Sequence, residues 1–529
     1  MSKQKLLLLV FAFLSLCSIN VKSEEAFYPE PNFLTQDDNF FLHTIERGQT
    51  VYSISVMYNV SVEDIYRLNP ESRKVIRVGD TLKIPQESSS YFYHTIQPQE
   101  TLYGVSQKFH MKGEDIIGAN PGLSVQTFTI GKIIRIPTNM VTTPIQGGNE
   151  AANSSRTNSL LSQVSIPHAV NTIKIALILP FGARDTTIQR TVQNRMVEYF
   201  EGFMLALQDI KKEGISAVLQ VYDTGSGDKE IPAILKKKEM QNIDLLVGGL
   251  SDDQIKLLSR FAKEENIPYV IPFTSQSNEP FNNSDTYQVN TPQSNQYSKA
   301  SLAFINKYGK DNIIVVSDDS GASNRKEFIN ILMQDLQDKN IPYKTVSLGV
   351  NFPNDVKTLL KTNQNNVFVP SDNSTETLSK LTVPLLSIAD GQPDLSLSLF
   401  GYPEWQVNSA KFSTDFFRLN TTFYTVFYSD LTSPDVKSFY SSFYRWYART
   451  LENNFPKYGI LGYDTGMYFI RLIHTYGSPF DSHINDLQYK GVQTDFYFER
   501  VNNWGGFINT NMYLINYNPD YSITKSLVK

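Results

Sequence analysis

The sequence predicts an α/β main domain of two doubly wound lobes, preceded by two small α+β modules. From residue 173 onward, short apolar runs alternate with runs of helical periodicity, which argues for parallel sheets covered by helices on both faces. That alternation restarts near Asn312, giving two lobes. Ahead of it, two segments repeat one another. His43-Thr44-Ile45 matches His94-Thr95-Ile96, Tyr52 matches Tyr103, Glu63-Asp64-Ile65 matches Glu114-Asp115-Ile116, and Asn69-Pro70 matches Asn120-Pro121, all at an offset of 51 residues. The closing Leu82-Lys83-Ile84-Pro85 matches Ile134-Arg135-Ile136-Pro137 at an offset of 52, so the second copy has gained one residue in its last loop.

Residues 1–23 read as a secretory signal: Lys3 and Lys5 give the positive start, and Leu6–Leu16 is an apolar run too short to span a bilayer. Cleavage is expected before Glu24. Leu16 ahead of Cys17 is a poor match to the small residue that lipid attachment requires, so the sequence favours release to the periplasm over a lipoprotein anchored through Cys17. Cys17 is the sole cysteine, so a chain starting at Glu24 excludes a disulfide scaffold. Without Lys3, Lys5 and Lys22, 45 basic side chains face 53 acidic ones, a net charge of −8 that argues against nucleic acid. No other apolar run approaches membrane-spanning length.

The modules are expected at 43–85 and 94–137, each as strand, helix, helix, strand. In the first, His43–Ile45 and Thr81–Ile84 are the strands and Val51–Tyr58 the first helix, capped by Thr50. Ser61 with Asp64 three residues on opens the second helix, which Asn69-Pro70 ends. Residues 138–171 shift to Thr, Asn, Ser, Gly and Gln, and this polarity predicts a flexible linker.

The main domain then fills 172–529. Its first lobe has strands expected at Ile173–Pro180, Ala217–Tyr222, Asp244–Gly249 and Pro268–Pro272, with helices at Met196–Lys212, Lys229–Gln241 and Asp252–Glu264. The second has strands at Asn312–Val316, Tyr343–Leu348, Asn366–Val369 and Ser396–Phe400, with helices at Gln296–Lys307, Ala322–Lys339, Val356–Lys361 and Thr375–Ile388. Two late helices, Pro434–Leu451 and Tyr463–Tyr476, suggest that the lobes exchange their closing elements, and the aromatic tail (Thr494–Phe498, Asn511–Ile515) is strand-like.

The repeated pattern resembles the LysM family, whose members bind N-acetylglucosamine-containing glycans, chiefly bacterial peptidoglycan. The resemblance implies a sugar groove between the first strand–helix loop and the loop after the second helix. By motif position it is lined by Gly48, Gln49, Thr50, Val51, Asn69 and Pro70 in the first copy. In the second it is lined by Gln99, Glu100, Thr101, Leu102, Asn120, Pro121 and Gly122, where Gln99 stands in place of Gly48 and is expected to narrow the loop. Acetamido groups need backbone donors and acceptors over an apolar floor, and tandem copies raise avidity.

The larger half resembles the type I periplasmic binding-protein fold in its amino-acid and receptor-ligand branch. The resemblance rests on the strand ending at Pro180, on Asp244-Leu245-Leu246-Val247-Gly248-Gly249 followed by Ser251, on Ile267-Pro268-Tyr269-Val270-Ile271-Pro272-Phe273, and on Gly462-Tyr463-Asp464 opening a helix. Ligands of doubly wound sheets sit beyond the carboxyl ends of strands. This singles out Ser251, Thr274 and Ser275 in one lobe and Asp318, Ser371 and Tyr402 in the other for a small polar ligand. The fold also occurs in outer-membrane activators of peptidoglycan synthases, so a wall-enzyme partner is the alternative.

Catalysis finds little support. The six histidines form no metal-ligand spacing, and neither a Gly-x-Ser-x-Gly elbow nor a Walker loop is present. The expectation is a non-catalytic, wall-associated bacterial envelope protein with no cofactor and no metal.

Overall fold

The repeats build matching units in the computed structural model, which describes residues 39–86, 90–138, 150–162, 169–183, 187–317 and 323–528. The expected signal segment and Asp318 lie outside these residues. In the first module, β1 (Phe40–Thr44) runs antiparallel to β2 (Thr81–Pro85), with Phe41 opposite Ile84. Between them lie helices Val51–Tyr58 and Val62–Leu68. Thr50 caps the first: its Oγ1 accepts the Ser53 N–H at 3.0 Å while Ser53 Oγ accepts the Thr50 N–H at 2.9 Å. Ile54, Ile65 and Ile84 are fully buried between the helices and the strand pair. The second module repeats this with β3 (Tyr91–Thr95), β4 (Ile133–Pro137) and helices Leu102–Lys108 and Gly113–Ala119.

The expected linker needs correction over part of its length. Glu150–Ser159 is a helix, continued by a short turn at Leu160–Ser162. Leu160 and Leu161 pack on the second module's core, and Asn158 Oδ1 accepts the Tyr103 N–H at 3.0 Å. Average polarity hid this helix, because two leucines at its end suffice to dock it.

The main domain starts with β5 (Thr172–Leu179), β6 (Ser216–Asp223), β7 (Leu245–Gly248), β8 (Tyr269–Ile271) and β9 (Thr286–Gln288). The chain then crosses to β10 (Asn312–Ser317), β11 (Tyr343–Ser347), β12 (Asn366–Pro370), β13 (Leu397–Gly401) and β14 (Thr422–Thr425). Helices Pro434–Tyr447 and Tyr458–Tyr476 return to the first lobe, where the apolar face of the second packs along helix Arg190–Lys212. The tail gives β15 (Phe498–Arg500) and β16 (Phe507–Asn509) to the first lobe, and β17 (Tyr513–Tyr517) and β18 (Ile523–Leu527) to the second.

The two seven-stranded sheets run β15-β16-β9-β8-β7-β5-β6 and β11-β10-β12-β13-β14-β17-β18. Five strands of each are consecutive in the chain and parallel to one another; the antiparallel pairs all involve the tail. The exchange of closing helices expected from the sequence is present. One expected helix is much shorter than its periodicity suggests: Lys229–Gln241 contains only Ile231–Leu235 and a turn at Lys238–Met240, since the lysine run offers no apolar face to bury. Five elements of the main domain escaped the sequence pattern: β9, β14, β16, β18 and helix Ser409–Arg418. Strands β9 and β14 are short and threonine-bearing and carry no long apolar run.

Candidate functional site

Each module holds its first loop with a buried histidine. His43 Nε2 lies 2.7 Å from Gln49 Oε1, which also accepts the Glu46 N–H at 2.8 Å. That oxygen can only accept, so the ring carries its proton on Nε2 and its Nδ1 accepts from the Tyr58 hydroxyl at 2.8 Å. Burial lowers the His43 pKa despite the Gln49 bond. The second module keeps the design with a charge added: His94 Nε2 is 2.7 Å from Glu100 Oε2, which also takes the Gln97 N–H at 2.7 Å. Burial alone would raise the Glu100 pKa, but the Gln97 N–H and His94 hold it down.

These contacts divide the groove candidates. Gln49 and Glu100 spend their side chains tying the loop; Thr50 and Thr101 cap helices; Val51 and Leu102 are core residues that can offer a sugar only backbone. Asn69 Nδ2 donates to the carbonyls of Ile65 and Lys83, and its Oδ1 accepts the Lys83 N–H. Asn120 does the same with Ile116 and Arg135 and is fully buried. Both asparagines therefore staple the second helix to the closing strand. Pro70 and Pro121 are exposed. Gln99 does not reshape its loop: it takes φ 66°, in the same left-handed region as Gly48 at φ 79°.

In the larger domain the candidates are less unified. Ser251 caps helix Asp252–Glu265 by accepting the Gln254 N–H at 3.3 Å, and Thr274 Oγ1 accepts the Gln276 N–H at 3.0 Å. Ser275 is half-buried beside it. Ser371 Oγ is buried without a partner. Tyr402 is a correction: it is fully buried and donates its hydroxyl to the Pro370 carbonyl, so it belongs to the second lobe's core. Its ring packs against Phe328 and Trp405.

Sequence reasoning missed the polar cluster beside Ser371. Arg325 donates Nη1 to Tyr297 Oη at 2.9 Å and Nη2 to Glu404 Oε1 at 2.5 Å, and Asn373 Nδ2 reaches Glu404 Oε2 at 2.8 Å. Burial would lower the Arg325 pKa, but Glu404 and Tyr297 hold it above its usual range. These residues sit at unrelated places in the chain, so no motif announces them. Asp464 of Gly462-Tyr463-Asp464 is buried, accepting the N–H groups of Val492, Gln493 and Thr494 and the Tyr489 hydroxyl. It pins the loop before the C-terminal strands.

Residues 43–85 and 94–137 match the LysM domain family. The two modules are LysM domains. Residues 200–381 match the family described as receptor family ligand binding region. Over 97 residues the chain is 32% identical to "Putative sporulation-specific glycosylase YdhD" of Bacillus subtilis strain 168, covering 18% of this chain and 22% of that protein. The chain thus matches about a fifth of that relative's length. Among solved structures it is similar to an ABC transporter substrate-binding protein from Desulfitobacterium hafniense in complex with leucine (14% identity, 67% of this chain, 100% of that chain, TM-score 0.41). It is also similar to full-length LpoA from Haemophilus influenzae (15% identity, 68% of this chain, 60% of that chain, TM-score 0.44).

The LysM pair is docked on the larger domain. Trp504, at the tip between β15 and β16, is 3% exposed and sits among Tyr58, Tyr93 and the Arg135 guanidinium. Gly122 N–H donates to the Asn503 carbonyl at 2.7 Å, and Asn503 Nδ2 to the Ile133 carbonyl at 3.0 Å. Arg135 reaches Asn282 at 2.7 Å, and the Tyr52 hydroxyl accepts from Asn278 at 3.0 Å. A side chain at Gly48 would meet Asn295 Nδ2 at 2.7 Å, so the absence of one there permits this close approach. Two residues named for the sugar grooves, Gly48 and Gly122, thus face the main domain. Among the described residues, no helix is long and apolar enough to cross a membrane, and no three His, Cys, Asp or Glu side chains group as a metal site.

Proposed function

We propose that this chain is a non-catalytic envelope protein that binds peptidoglycan through its LysM pair and carries a two-lobed domain for a small polar ligand. The observation that carries this reading is the pair of LysM domains with the same loop conformation, histidine brace and threonine cap in both copies. The groove surface comprises the backbone of Gln49–Val51 and Gln99–Leu102 with exposed Pro70 and Pro121, while Gly48 is turned to the main domain. In the larger domain, Ser251, Thr274, Ser275 and Ser371 are the ligand candidates, with Asp318 kept on its sequence position and Arg325 added beside Ser371. The protein works outside the cytoplasmic membrane, at the wall.

Sedimentation of the full chain with purified peptidoglycan tests the reading. Pelleting that is competed by soluble N-acetylglucosamine oligomers is expected; no pelleting overturns the wall assignment. A thermal shift with one class of amino-acid-like metabolite, lost in the Ser251→Ala, Thr274→Ala double variant, supports the cleft. Release of soluble fragments from peptidoglycan by the pure protein overturns the non-catalytic reading.

A specific surface favours a second reading, a scaffold or regulator of wall enzymes. Trp446 (59% exposed) and Met204 (40%) border a groove of about 490 Å³ that runs to the start of edge strand β6, where Val218 is also exposed. Under that reading Trp446→Glu removes a co-purifying wall enzyme and leaves peptidoglycan sedimentation unchanged.

A further inference from the structure

A pocket of about 360 Å³ lies where both LysM domains meet the β15–β16 tip. It borders the first sugar groove through Gln49 and joins the first loop of one LysM domain to the last loop of the other. Its floor is apolar and buried, with Met57, Tyr58, Ile133 and Trp504 all below 9% exposure. Its charged rim is Glu46 from the first domain and Lys132 from the second, each about half exposed (50% and 51%) and ion-paired across the seam.

The internal repeat serves as a control on this pair. Where the first copy has Glu46 the second has Gln97, and where the second has Lys132 the first has Asp80. Neither member of the pair is therefore repeated in the other copy: Gln97 is neutral and Asp80 has the opposite sign. The loop bearing Lys132 is also the one in which the second copy gains a residue. Module folding needs neither difference, since the first copy closes the same strand pair without them.

The volume is at the lower end for a small-molecule site, enough for a short peptide or one to two sugar rings. Two polar side chains of the floor are already committed, since His43 bonds Gln49 and Tyr58, whereas the buried Trp504 indole N–H has no partner and can donate to a ligand. Charge recognition falls to Glu46 and Lys132 over an apolar bed, because Arg500, which also lines the pocket, is held by Asp481. An exposed ion pair is weak, so a ligand presenting its own opposite charges can replace it at little cost.

We propose that this seam pocket binds a short zwitterionic peptide branching from the wall glycan, its carboxylate on Lys132, its ammonium on Glu46 and its apolar side chains on the Tyr58–Trp504 floor. The inference rests on the peptidoglycan reading and names the part of that polymer the seam recognises. It gives the docked arrangement a purpose, since Trp504 of the main domain completes the floor.

Calorimetry on the full-length protein tests it, using short glycan strands that carry peptide stems and the same strands stripped of stems by an amidase. The stemmed strands are expected to bind about fivefold more tightly, as two exposed ion pairs would supply. Lys132→Ala and Glu46→Ala should each reduce that difference while leaving affinity for stripped strands and the melting temperature unchanged. Equal affinity for the two strands, or equal losses for both in the variants, overturns the inference while the sugar reading stands. Binding of stemmed strands alone retains the pocket and removes the sugar grooves; binding of neither removes both.

Discussion

The Arg135 guanidinium lies 4.4 Å from the centroid of the Trp504 ring, and this contact joins the second LysM domain to a hairpin about 370 residues away in sequence. Arg135 also lies over Tyr91 and Tyr93, so one cation is sandwiched among aromatic faces of both parts. Trp504 is thereby a core residue of the first module's cluster, although the chain brings it from the main domain.

Trp504→Ala is expected to release the LysM pair from the main domain. Truncating so buried an anchor costs about 3 kcal/mol, and the lost ring leaves Arg135 facing a void. Small-angle scattering should show a larger radius of gyration. An unchanged radius would mean that the polar contacts of Asn503, Asn282 and Asn278 hold the parts together without the ring.

Asn120→Ala should destabilise the second LysM domain by about 1–3 kcal/mol, because three buried backbone groups lose their partner at once. Asn69→Ala removes the same staple at a half-buried site and should cost less. Chemical denaturation monitored at the modules reads both. If either asparagine holds sugar, its variant loses glycan affinity under conditions where the fold is intact.

Much of the fold could be read from the chain because its signals were local. Thr50 as a cap, Pro70 as a stop and the apolar runs of β5, β7, β10 and β12 each depend on neighbours within a few residues, and the repeat shows the same local pattern twice. What stayed hidden was long-range. Docking through Trp504, the Arg325–Glu404 cluster and the seam pair Glu46–Lys132 join residues 79 to several hundred positions apart. Tyr402 misled for the same reason: its place after a strand matched a ligand position, while its buried neighbours came from elsewhere.

Acid should loosen the first LysM domain. His43 is neutral in the fold and its pKa is lowered by burial, so below about pH 6.5 the unfolded chain binds a proton that the folded one does not. Stability is therefore full above that pH and declines as pH falls below it. Module melts should shift downward between pH 7.5 and 5.5, and the His43 ring resonance should titrate below the usual histidine range. A melting temperature that rises over this interval would contradict the assignment of Nε2–H and the Tyr58 bond.

Gly462→Ala tests the helix pair at the centre of the first lobe. A Cβ at Gly462 would stand 2.0 Å from the Tyr199 carbonyl oxygen, and one at Gly202 would stand 1.7 Å from that of Gly459, so the helices touch backbone to backbone. Alanine improves helix propensity by about 1 kcal/mol, yet forcing two long helices apart in a packed core costs about 3 kcal/mol, so a net loss near 2 kcal/mol is expected. Gly391, which ends helix Thr375–Gly391 with open space for 4 Å around the position a Cβ would take, is the control: Gly391→Ala should be neutral or slightly stabilising. A Gly462→Ala protein as stable as the parent would show that the two helices can slide past the clash, and that the lobe's core is looser than its contacts imply.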